Sequence, residues 1–266
     1  RSQVLRNLWK AIERFQTCDI VYCFGEERHP MTAADCAFFL TAENGLPVQD
    51  EKGSFVLDEE AVTAYVQSLA EEYDGYGRTR QFHSTRGDVI TIEGGTYGSK
   101  MDRKKETAYL LEHLLDPGVH TGTPQSHIPS YEREAFCYGK NDIGDTYIEV
   151  DMTEQKMYYY EKGVLKLETE IVTGNMRRRM GTPEGVNFVY NKQKNRVLRG
   201  PGYASPVKFW MPVKGGIGIH DAGWRKEFGG DIYQTAGSHG CINTPKDKME
   251  ELFDCVQIGT PVVMFY

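Results

Sequence analysis

One short run near the C-terminal end of the chain combines residue types that can carry out covalent chemistry. The run covers residues 237–243 and reads Gly-Ser-His-Gly-Cys-Ile-Asn. Cysteine attacks as its thiolate, so it needs a nearby base or positive charge to lower its pKa from about 8.5. Attack on a carbonyl group also needs N–H donors for the developing oxyanion, and a glycine beside the cysteine lets the main chain approach the substrate. The run therefore supplies a nucleophile in Cys241, an imidazole in His239 and flexible donors.

Two histidines are candidates for the base that takes the thiol proton. His239 stands two positions before Cys241, and residues two apart share a face in an extended segment. His220 stands 21 positions before Cys241, and it can reach the thiol if its strand lies beside the cysteine segment. The other ring nitrogen of His220 would then need an acceptor, for which Asp221 is the nearest candidate. The residues alone leave both bases open.

The same residues also fit two interpretations without a nucleophile. A cysteine near a histidine is structural in most proteins, and two histidines with a cysteine are chemically competent to bind zinc. No fourth ligand with suitable spacing stands near them, so the chemistry favours a nucleophile over a metal site. We therefore expect neither a metal nor another cofactor.

The other five cysteines do not form a recognisable pattern. They are Cys18, Cys23, Cys36, Cys137 and Cys255, and no Cys-x-x-Cys pair occurs. A zinc ribbon or a thioredoxin-like site is therefore disfavoured. Cys18 and Cys23 flank an apolar run, where buried structural thiols are favoured, and the spacing leaves any disulfide pairing open.

The order and spacing of the chemical residues resemble a known signature. His220, an interval of 17 residues and then Ser-His-Gly-Cys-Ile-Asn at 238–243 are similar to the L,D-transpeptidase (YkuD-type) catalytic domain. The glycine-rich segment 215–220 and the turn Gly-Thr-Pro-Glu-Gly at 181–185 extend the resemblance over most of 145–266. We therefore expect this family's fold and chemistry in the C-terminal half.

The resemblance implies a role for each residue of the run. Cys241 would be the nucleophile and His220 its general base. The site would be lined, and the oxyanion pocket formed in part, by Ser238, His239 and Gly240. Asn243 would brace the loop.

Three further residues are candidates at the edge of this site. In the family, the residue after the first histidine is usually Gly or Ser and orients the ring through its backbone carbonyl. Here it is Asp221, whose carboxylate could add to that role or face water. Tyr203 or Trp210 could form a wall of the substrate groove, although Trp210 also fits the core at the end of a strand.

The implied reaction is acyl transfer through a thioester on peptidoglycan. Cys241 would attack the third residue of a donor tetrapeptide stem and expel its terminal D-Ala, and the amine of an acceptor stem would then form a 3→3 cross-link. Water as the acceptor would make the enzyme an L,D-carboxypeptidase. The resemblance also implies that carbapenems acylate Cys241, and it indicates a part in cell-wall biogenesis and cell shape.

Several sequence features disfavour other classes of protein. A sortase needs an arginine after its cysteine, and none follows Cys241. A papain-like peptidase places its cysteine before its histidine, in the opposite order. A non-catalytic peptidoglycan-binding protein with a decayed site is disfavoured because every motif residue is present. The net charge of −7 argues against nucleic-acid binding, which relies on a basic surface.

The start of the chain and its apolar runs bear on location. The sequence begins at Arg1 without a start methionine or an apolar signal region, so we expect that upstream sequence is missing. No apolar stretch approaches the roughly 20 residues that cross a bilayer. The peptidoglycan substrate implies an extracytoplasmic enzyme of the cell wall, tethered to the cytoplasmic membrane through the missing segment.

Hydrophobic patterning divides the chain into a mainly helical part and a mainly β part. Before residue 140, the patterns predict helices at 4–15, 58–73 and 102–115, another that begins after the cap at Thr32, and a strand at 88–93. The first helix would place Leu5, Leu8, Trp9, Ile12 and Phe15 on one face. From residue 146, short alternating runs separated by turns predict a mostly β, sandwich-like domain with one short helix at 246–256.

We therefore predict an α+β module at 1–143 followed by a catalytic domain at 144–266. The segment 86–98 and the helix after it resemble a module thought to bind peptidoglycan that often precedes this catalytic domain. A rigid spacer that shapes or covers the active-site cleft is the alternative for the first module.

Overall fold

The computed structural model describes residues 2–200 and 203–266, without the side chains at positions 2 and 203. The chain forms two compact units. The first unit comprises Arg1–Gly75 and Ser99–Lys140, and the second comprises Tyr76–Gly98 and Asn141–Tyr266. Residues 76–98 thus fold with the C-terminal stretch, and the division into domains 1–143 and 144–266 stays a prediction.

The first unit combines helices with short strands. Numbered along the whole chain, its elements are α1 (Ser2–Phe15), β1 (Ile20–Phe24), β2 (Glu27–Pro30), α2 (Ala33–Phe38), β3 (Ala42–Glu43), β4 (Leu46–Pro47), α3 (Glu59–Tyr73), β7 (Lys100–Met101), α4 (Arg103–His113), a 3₁₀ turn (Pro117–Val119), β8 (Gln125–His127) and β9 (Tyr131–Arg133).

Side-chain caps fix the starts of three helices in the first unit. Thr32 and Asp35 form a reciprocal capping box at the start of α2, which satisfies N–H groups that have no partner inside the helix. Asp58 and Asp102 accept main-chain N–H groups at the starts of α3 and α4. All three helices begin where the sequence predicts them, because these signals are local.

The core of the first unit lies between its helices and a three-stranded sheet. The sheet has the order β2-β1-β8, with β1 antiparallel to β2 and parallel to β8. Phe24, Val66 and Leu110 are among the residues buried in this core. In α1, Phe15 is buried, whereas Leu5 and Trp9 are 55% and 63% exposed. The apolar face predicted for this helix is therefore covered at Phe15 and exposed at Leu5 and Trp9.

The second unit is mostly β. Its elements are β5 (Arg80–His83), β6 (Val89–Ile92), β10 (Tyr147–Asp151), β11 (Lys156–Glu161), β12 (Val164–Glu170), β13 (Gly185–Phe188), β14 (Gln193–Gly200), β15 (Tyr203–Lys214), β16 (Ile217–Asp221), α5 (Ile232–Ala236), β17 (Ile242–Thr244), α6 (Lys246–Cys255) and β18 (Pro261–Phe265).

Two sheets make up the body of the second unit. The five-stranded sheet has the order β12-β11-β10-β18-β13, and the four-stranded sheet has the order β14-β15-β16-β17. One apolar cluster joins residues of both sheets with residues of α6, among them Val150, Ile219 and Leu252. The sandwich-like β fold and the helix predicted at 246–256 are confirmed, and α5 is an additional short helix that the sequence did not predict.

Buried charges attach the β5–β6 hairpin to this unit. Arg80 forms an ion pair of 2.6 Å with Asp142, and both side chains are at most 5% exposed. Arg86 pairs with Asp151 of β10 at 3.1 Å. Between them, Thr85 donates its N–H and its hydroxyl hydrogen to the buried carboxylate of Glu149. These contacts explain why residues 76–98 fold with the second unit.

No helix in the described ranges combines the length and the apolar character needed to cross a membrane.

Candidate active site

Two neighbouring parallel strands carry the chemical residues. In the four-stranded sheet, β16 pairs with β17 so that His220 lies opposite Asn243 and Asp221 opposite Thr244. Cys241 directly precedes β17, and the loop before it contains Ser238, His239 and Gly240. The strand that contains His220 therefore lies beside the cysteine segment, which is the arrangement that His220 needs to act as the base.

His220 is held at both ring nitrogens. It is 4% exposed, and its Nδ1 lies 2.9 Å from the carbonyl oxygen of Asp221. Because a carbonyl only accepts, Nδ1 must carry the proton and donate it. Nε2 lies 3.1 Å from Nδ2 of Asn243, so its lone pair accepts from the amide. The geometry therefore selects the neutral ring with a bare Nε2.

Burial lowers the pKa of His220 below its ordinary value of 6.5, because a charged ring is poorly solvated there. The nearby guanidinium of Arg225 lowers the pKa further, while the bond to the Asp221 carbonyl and the charge of Asp221 oppose the shift. The net effect is a lowered pKa of His220, so the imidazole is neutral at neutral pH.

Asp221 uses its main chain and its side chain for different purposes. Its carbonyl oxygen holds the His220 ring, whereas its carboxylate oxygen Oδ1 accepts the main-chain N–H groups of Lys208 and Phe209, both at 2.8 Å. The residue is 5% exposed. The carboxylate thus neither turns to the imidazole nor faces water, and it ties β16 to β15 instead.

Asn243 links the imidazole to a cation. The side chain is 2% exposed, and its Oδ1 accepts a 2.7 Å hydrogen bond from Nε of Arg225. A second nitrogen of the guanidinium, Nη2, donates to the carbonyl oxygen of Ala236 at 2.9 Å. Burial lowers the pKa of Arg225. The predicted role of Asn243 in bracing the loop stays a prediction, but the amide does contact the histidine directly.

A serine hydroxyl shapes the loop before the cysteine. Ser238 Oγ donates to the carbonyl oxygen of Cys241 at 2.6 Å and accepts the N–H of Gly240 at 3.0 Å. Gly240 has φ +114°, a conformation that a residue with Cβ rarely adopts. The glycine before the cysteine therefore serves a tight turn, and its N–H is already engaged there.

Thr182 ties the same loop to a second segment. Its hydroxyl donates to the carbonyl oxygen of Gly240 at 2.7 Å and accepts the N–H of Gly174 at 3.0 Å. The residue is 3% exposed, so the two bonds are shielded from water. Thr182 belongs to the Thr-Pro turn that carried part of the family resemblance, and the structure brings it to the loop of the nucleophile.

Cys241 rests as a thiol. Its Sγ has intermediate exposure and lies 3.7 Å from the carbonyl oxygen of Gly216, to which it donates a weak bond. Burial raises the pKa of this thiol, while a main-chain contact with Gly218 opposes the shift. The raised pKa of Cys241 and the lowered pKa of His220 together describe a neutral pair in the resting state.

One cavity of about 200 Å³ joins these groups. Most of the predicted site residues line it, together with residues that the sequence did not single out. The lining consists of Leu198, Ser205, His220, Trp224, Arg225, Gly237, Ser238, His239, Cys241 and Asn243.

Trp210, one of the two predicted groove residues, does not line this cavity. Trp210 is 5% exposed, and its ring lies 5.9 Å from the His220 ring, outside the lining of the cavity. It packs behind the histidine because the β15–β16 register places the two residues opposite each other. The side chain of Tyr203 lies outside the described residues. A different aromatic residue, Trp224, lies 5.9 Å from His220 on the cavity side and is 52% exposed.

The remaining titratable groups do not assemble into a metal site. Among residues 2–200 and 203–266, no three His, Cys, Asp or Glu side chains are grouped to hold a metal ion. All six cysteines are free thiols.

Comparison with known proteins defines the class of this site. The family model of the L,D-transpeptidase catalytic domain matches residues 145–264, and the model described as "Putative peptidoglycan binding domain" matches residues 42–118. Together they describe a two-module enzyme of peptidoglycan. No curated protein is a significant match to the chain.

Solved structures match almost the whole chain. A cysteine-to-serine mutant of Enterococcus faecium L,D-transpeptidase is 35% identical, covers 97% of this chain and 100% of its own, and has a TM-score of 0.82. The Ldtfm avibactam carbamoyl enzyme is also 35% identical, with coverages of 98% and 99% and a TM-score of 0.83. The E. faecium catalytic domain acylated by ertapenem is 51% identical over 46% of this chain and 98% of its own, with a TM-score of 0.42.

The chain belongs to the L,D-transpeptidase family. The family predicted from the spacing of His220 and the run at 238–243 is confirmed, and peptidoglycan L,D-transpeptidation is its function.

Proposed function

We propose that Cys241 is the nucleophile of this transpeptidase and that His220 is its general base. One observation carries the proposal: the two side chains line the same cavity, and His220 commits its Nδ1 proton to Asp221. Nε2 is then the nitrogen that accepts the thiol proton, and the Asn243 amide that donates to it in the resting site has to release it for this step. Because thiol and imidazole both rest neutral, proton transfer has to accompany the approach of the substrate.

The oxyanion is served by the main chain at the nucleophile. Within the described chain, the N–H of Cys241 has no hydrogen-bond acceptor, so it is available to a substrate oxygen. The N–H of Gly240 is engaged by Ser238, so we assign Gly240 and Ser238 to the shape of the loop. His239 is exposed at the mouth of the cavity, where it contacts the bound stem.

The reaction proceeds in two displacements. Nε2 of His220 takes the thiol proton while Sγ of Cys241 attacks the carbonyl carbon of the third residue of a tetrapeptide stem. The tetrahedral intermediate collapses when the bond to D-Ala breaks, and the imidazolium gives its proton to the departing amine. The neutral side-chain amine of an acceptor stem then attacks the thioester carbonyl and gives a proton to Nε2 of His220. When the C–S bond breaks, His220 returns this proton to Sγ, which restores the Cys241 thiol and leaves the 3→3 cross-link.

Water in place of the acceptor amine gives the alternative activity, an L,D-carboxypeptidase. The same thioester is then hydrolysed to a tripeptide stem, and the same residues act. The ratio of dimer to tripeptide products distinguishes the two activities.

Three further proposals concern binding and location. The 42–118 match lies in the first unit except for residues 76–98, which belong to the second unit, and we assign the binding of peptidoglycan to the first unit. Carbapenems acylate Cys241, because a strained β-lactam carbonyl meets the same nucleophile and donors as the stem carbonyl. The enzyme acts outside the cytoplasmic membrane and is tethered to that membrane.

Tetrapeptide-containing muropeptides test the assignment directly. Incubation with the wild-type chain should release D-Ala and form dimers, and mass spectrometry should find the acyl group on Cys241. Cys241→Ala should abolish both while leaving the melting temperature nearly unchanged. An adduct on another residue, or dimers formed by Cys241→Ala, would contradict the assignment.

A further inference from the structure

Arg225 occupies a defined place behind the proposed base. Its Nε donates to Oδ1 of Asn243 at 2.7 Å, and Nδ2 of the same amide lies 3.1 Å from Nε2 of His220. Nδ1 of His220 lies 2.9 Å from the Asp221 carbonyl oxygen. The four groups form one continuous series of hydrogen bonds that begins at Arg225, passes through the amide and the ring, and ends at the Asp221 carbonyl.

The hydrogen bond from Arg225 to Asn243 fixes which atom donates in every other hydrogen bond of this series. A guanidinium group only donates hydrogen bonds, so the amide must present its oxygen to Arg225. The amide nitrogen must therefore face the histidine, and it too only donates. Nε2 consequently has to accept, and the ring proton has to sit on Nδ1, where the Asp221 carbonyl receives it.

We propose that Arg225 is a positioning residue that acts through the amide of Asn243 to keep Nε2 of His220 free of a proton. The inference rests on the proposed role of His220 as the base and adds what prepares that base. The hydrogen-bonded link from Arg225 to His220 runs through the amide of Asn243, so its effect should appear in the protonation of His220.

The surroundings of His220 contain one charge that opposes Arg225, because the carboxylate of Asp221 favours the protonated ring and raises its pKa. From its own strand comes Asp221, whose carboxylate is engaged by two main-chain N–H groups of β15. The loop before β17 contributes Cys241 and His239, which line the same cavity. The aromatic rings of Trp210 and Trp224, each 5.9 Å away, flank the imidazole. Arg225 is therefore the permanent positive charge in this set.

Removal of the guanidinium has a predictable sign. Without it, the Asn243 amide can turn its oxygen toward Nε2 and accept a hydrogen bond from a protonated Nε2. The positive charge that repels an imidazolium is lost as well, and both changes favour protonated His220. The rate of Cys241 acylation falls at low pH as His220 becomes protonated, and we call this part of the pH–rate profile the acid limb. In Arg225→Met, the acid limb should move to higher pH by about one unit, with the acylation rate at high pH nearly preserved.

Matched variants separate the hydrogen bond from the charge. Arg225→Gln is close in length to Arg225→Met but keeps an N–H donor for Asn243 Oδ1, so it should retain part of the wild-type profile. Arg225→Lys keeps both a donor and the charge and should lie nearest to the wild type. The probe is ertapenem, and intact-protein mass spectrometry measures the acylation rate from pH 4 to pH 9.

A double-mutant cycle tests the route through the amide. In an Asn243→Ala background, Arg225→Met should cause no further shift of the acid limb, because the link it acts through is gone. A shift of equal size in both backgrounds would overturn the proposal. So would an Arg225→Met variant that changes only the ertapenem concentration dependence and leaves the pH profile in place, since Arg225 would then be a ligand-binding residue.

A measurement on the wild-type chain covers the case in which Arg225→Met fails to fold. The ¹⁵N chemical shifts of His220 at neutral pH should report a proton on Nδ1 and a bare Nε2. A proton on Nε2 would overturn the proposal. Failure of the proposed function looks different, because the wild-type chain would then form no ertapenem adduct on Cys241 at any pH.

Discussion

The hydroxyl group of Thr182 donates a 2.7 Å hydrogen bond to the carbonyl oxygen of Gly240, 58 residues further along the chain. The same hydroxyl accepts the N–H of Gly174, so one buried oxygen joins two segments. The carbonyl it holds belongs to the peptide group that leads into Cys241. The position of the nucleophile therefore depends on a side chain that has no part in the chemistry.

Substitution of Thr182 by valine keeps the shape of the side chain and removes both hydrogen bonds. Two buried main-chain groups are left unsatisfied, which should cost about 1–3 kcal/mol of stability. The loss of position at Cys241 should slow acylation by up to about a hundredfold. Thermal denaturation and the rate of ertapenem adduct formation measure the two effects. Thr182→Ser keeps the hydroxyl and is the matched control, and equal losses in both variants would argue against the hydrogen bonds as the cause.

The two tryptophans beside His220 should respond differently to truncation. Trp224 is half exposed on the cavity, so Trp224→Ala should change stability by less than about 1 kcal/mol and weaken the binding of stem peptides. Trp210 is buried behind the ring, so Trp210→Ala should cost about 3–5 kcal/mol of stability. Chemical denaturation and the concentration dependence of acylation separate the two. A larger stability loss for Trp224→Ala than for Trp210→Ala would contradict these placements.

The neutral resting pair predicts unusual behaviour for the thiol. Burial raises the pKa of Cys241 above its ordinary value of 9.0, so alkylation by iodoacetamide should rise with pH through a midpoint above that value. At neutral pH, Cys241 should react more slowly than the exposed Cys255 in the same protein. Peptide mapping after timed alkylation compares the two sites. Faster alkylation of Cys241 at neutral pH would mean that the pair rests as thiolate and imidazolium.

Glu149 should make stability depend on pH. Burial raises the pKa of this carboxyl above its ordinary value of 4.5, although the hydrogen bonds from Thr85 oppose the shift. The folded chain then holds the proton more tightly than the unfolded chain, so the ionised group costs stability as pH rises through the folded pKa.

Glu149→Gln removes that charge and keeps a group that can bond to Thr85. Each kcal/mol gained should raise the melting temperature by about 2–4 °C, and the gain should grow from pH 4 to pH 8. Calorimetry across this range measures it. The hydrogen-bonding control is Thr85→Val in the same hairpin, which should destabilise the fold at every pH. A gain for Glu149→Gln that is largest at low pH would contradict the argument.

Local signals in the sequence were sufficient for much of the fold. The caps at Thr32, Asp58 and Asp102 and the helix α6 depend on residues within one or two turns, so a pattern can reveal them. The helix α5 lacks an apolar period, and main-chain contacts with a distant loop support it, as in the bond from Met176 N–H to the Tyr233 carbonyl. The exposed Leu5 and Trp9 show that an apolar stripe need not be covered along its full length.

Only the site residues that belong to the sequence signature, His220 and the run 238–243, could be predicted with their roles. Cys241 and His220 stand in a recognisable order, and the parallel pairing of β16 and β17 brings their segments together. Arg225 and Trp224 follow His220 closely, but nothing in a single sequence distinguishes them from other surface residues. Their importance depends on the fold, which turns them back over the cavity.

The division of labour within Asp221 has a consequence for how this position can vary over evolutionary time. Every amino acid brings a carbonyl oxygen, so the grip on the His220 ring is independent of which residue is encoded there. Its carboxylate has a separate role, because it accepts hydrogen bonds from two main-chain N–H groups of β15. Substitutions at position 221 should therefore change thermal stability while catalytic activity is retained. A smaller residue would be acceptable wherever the main-chain N–H groups of β15 have other acceptors.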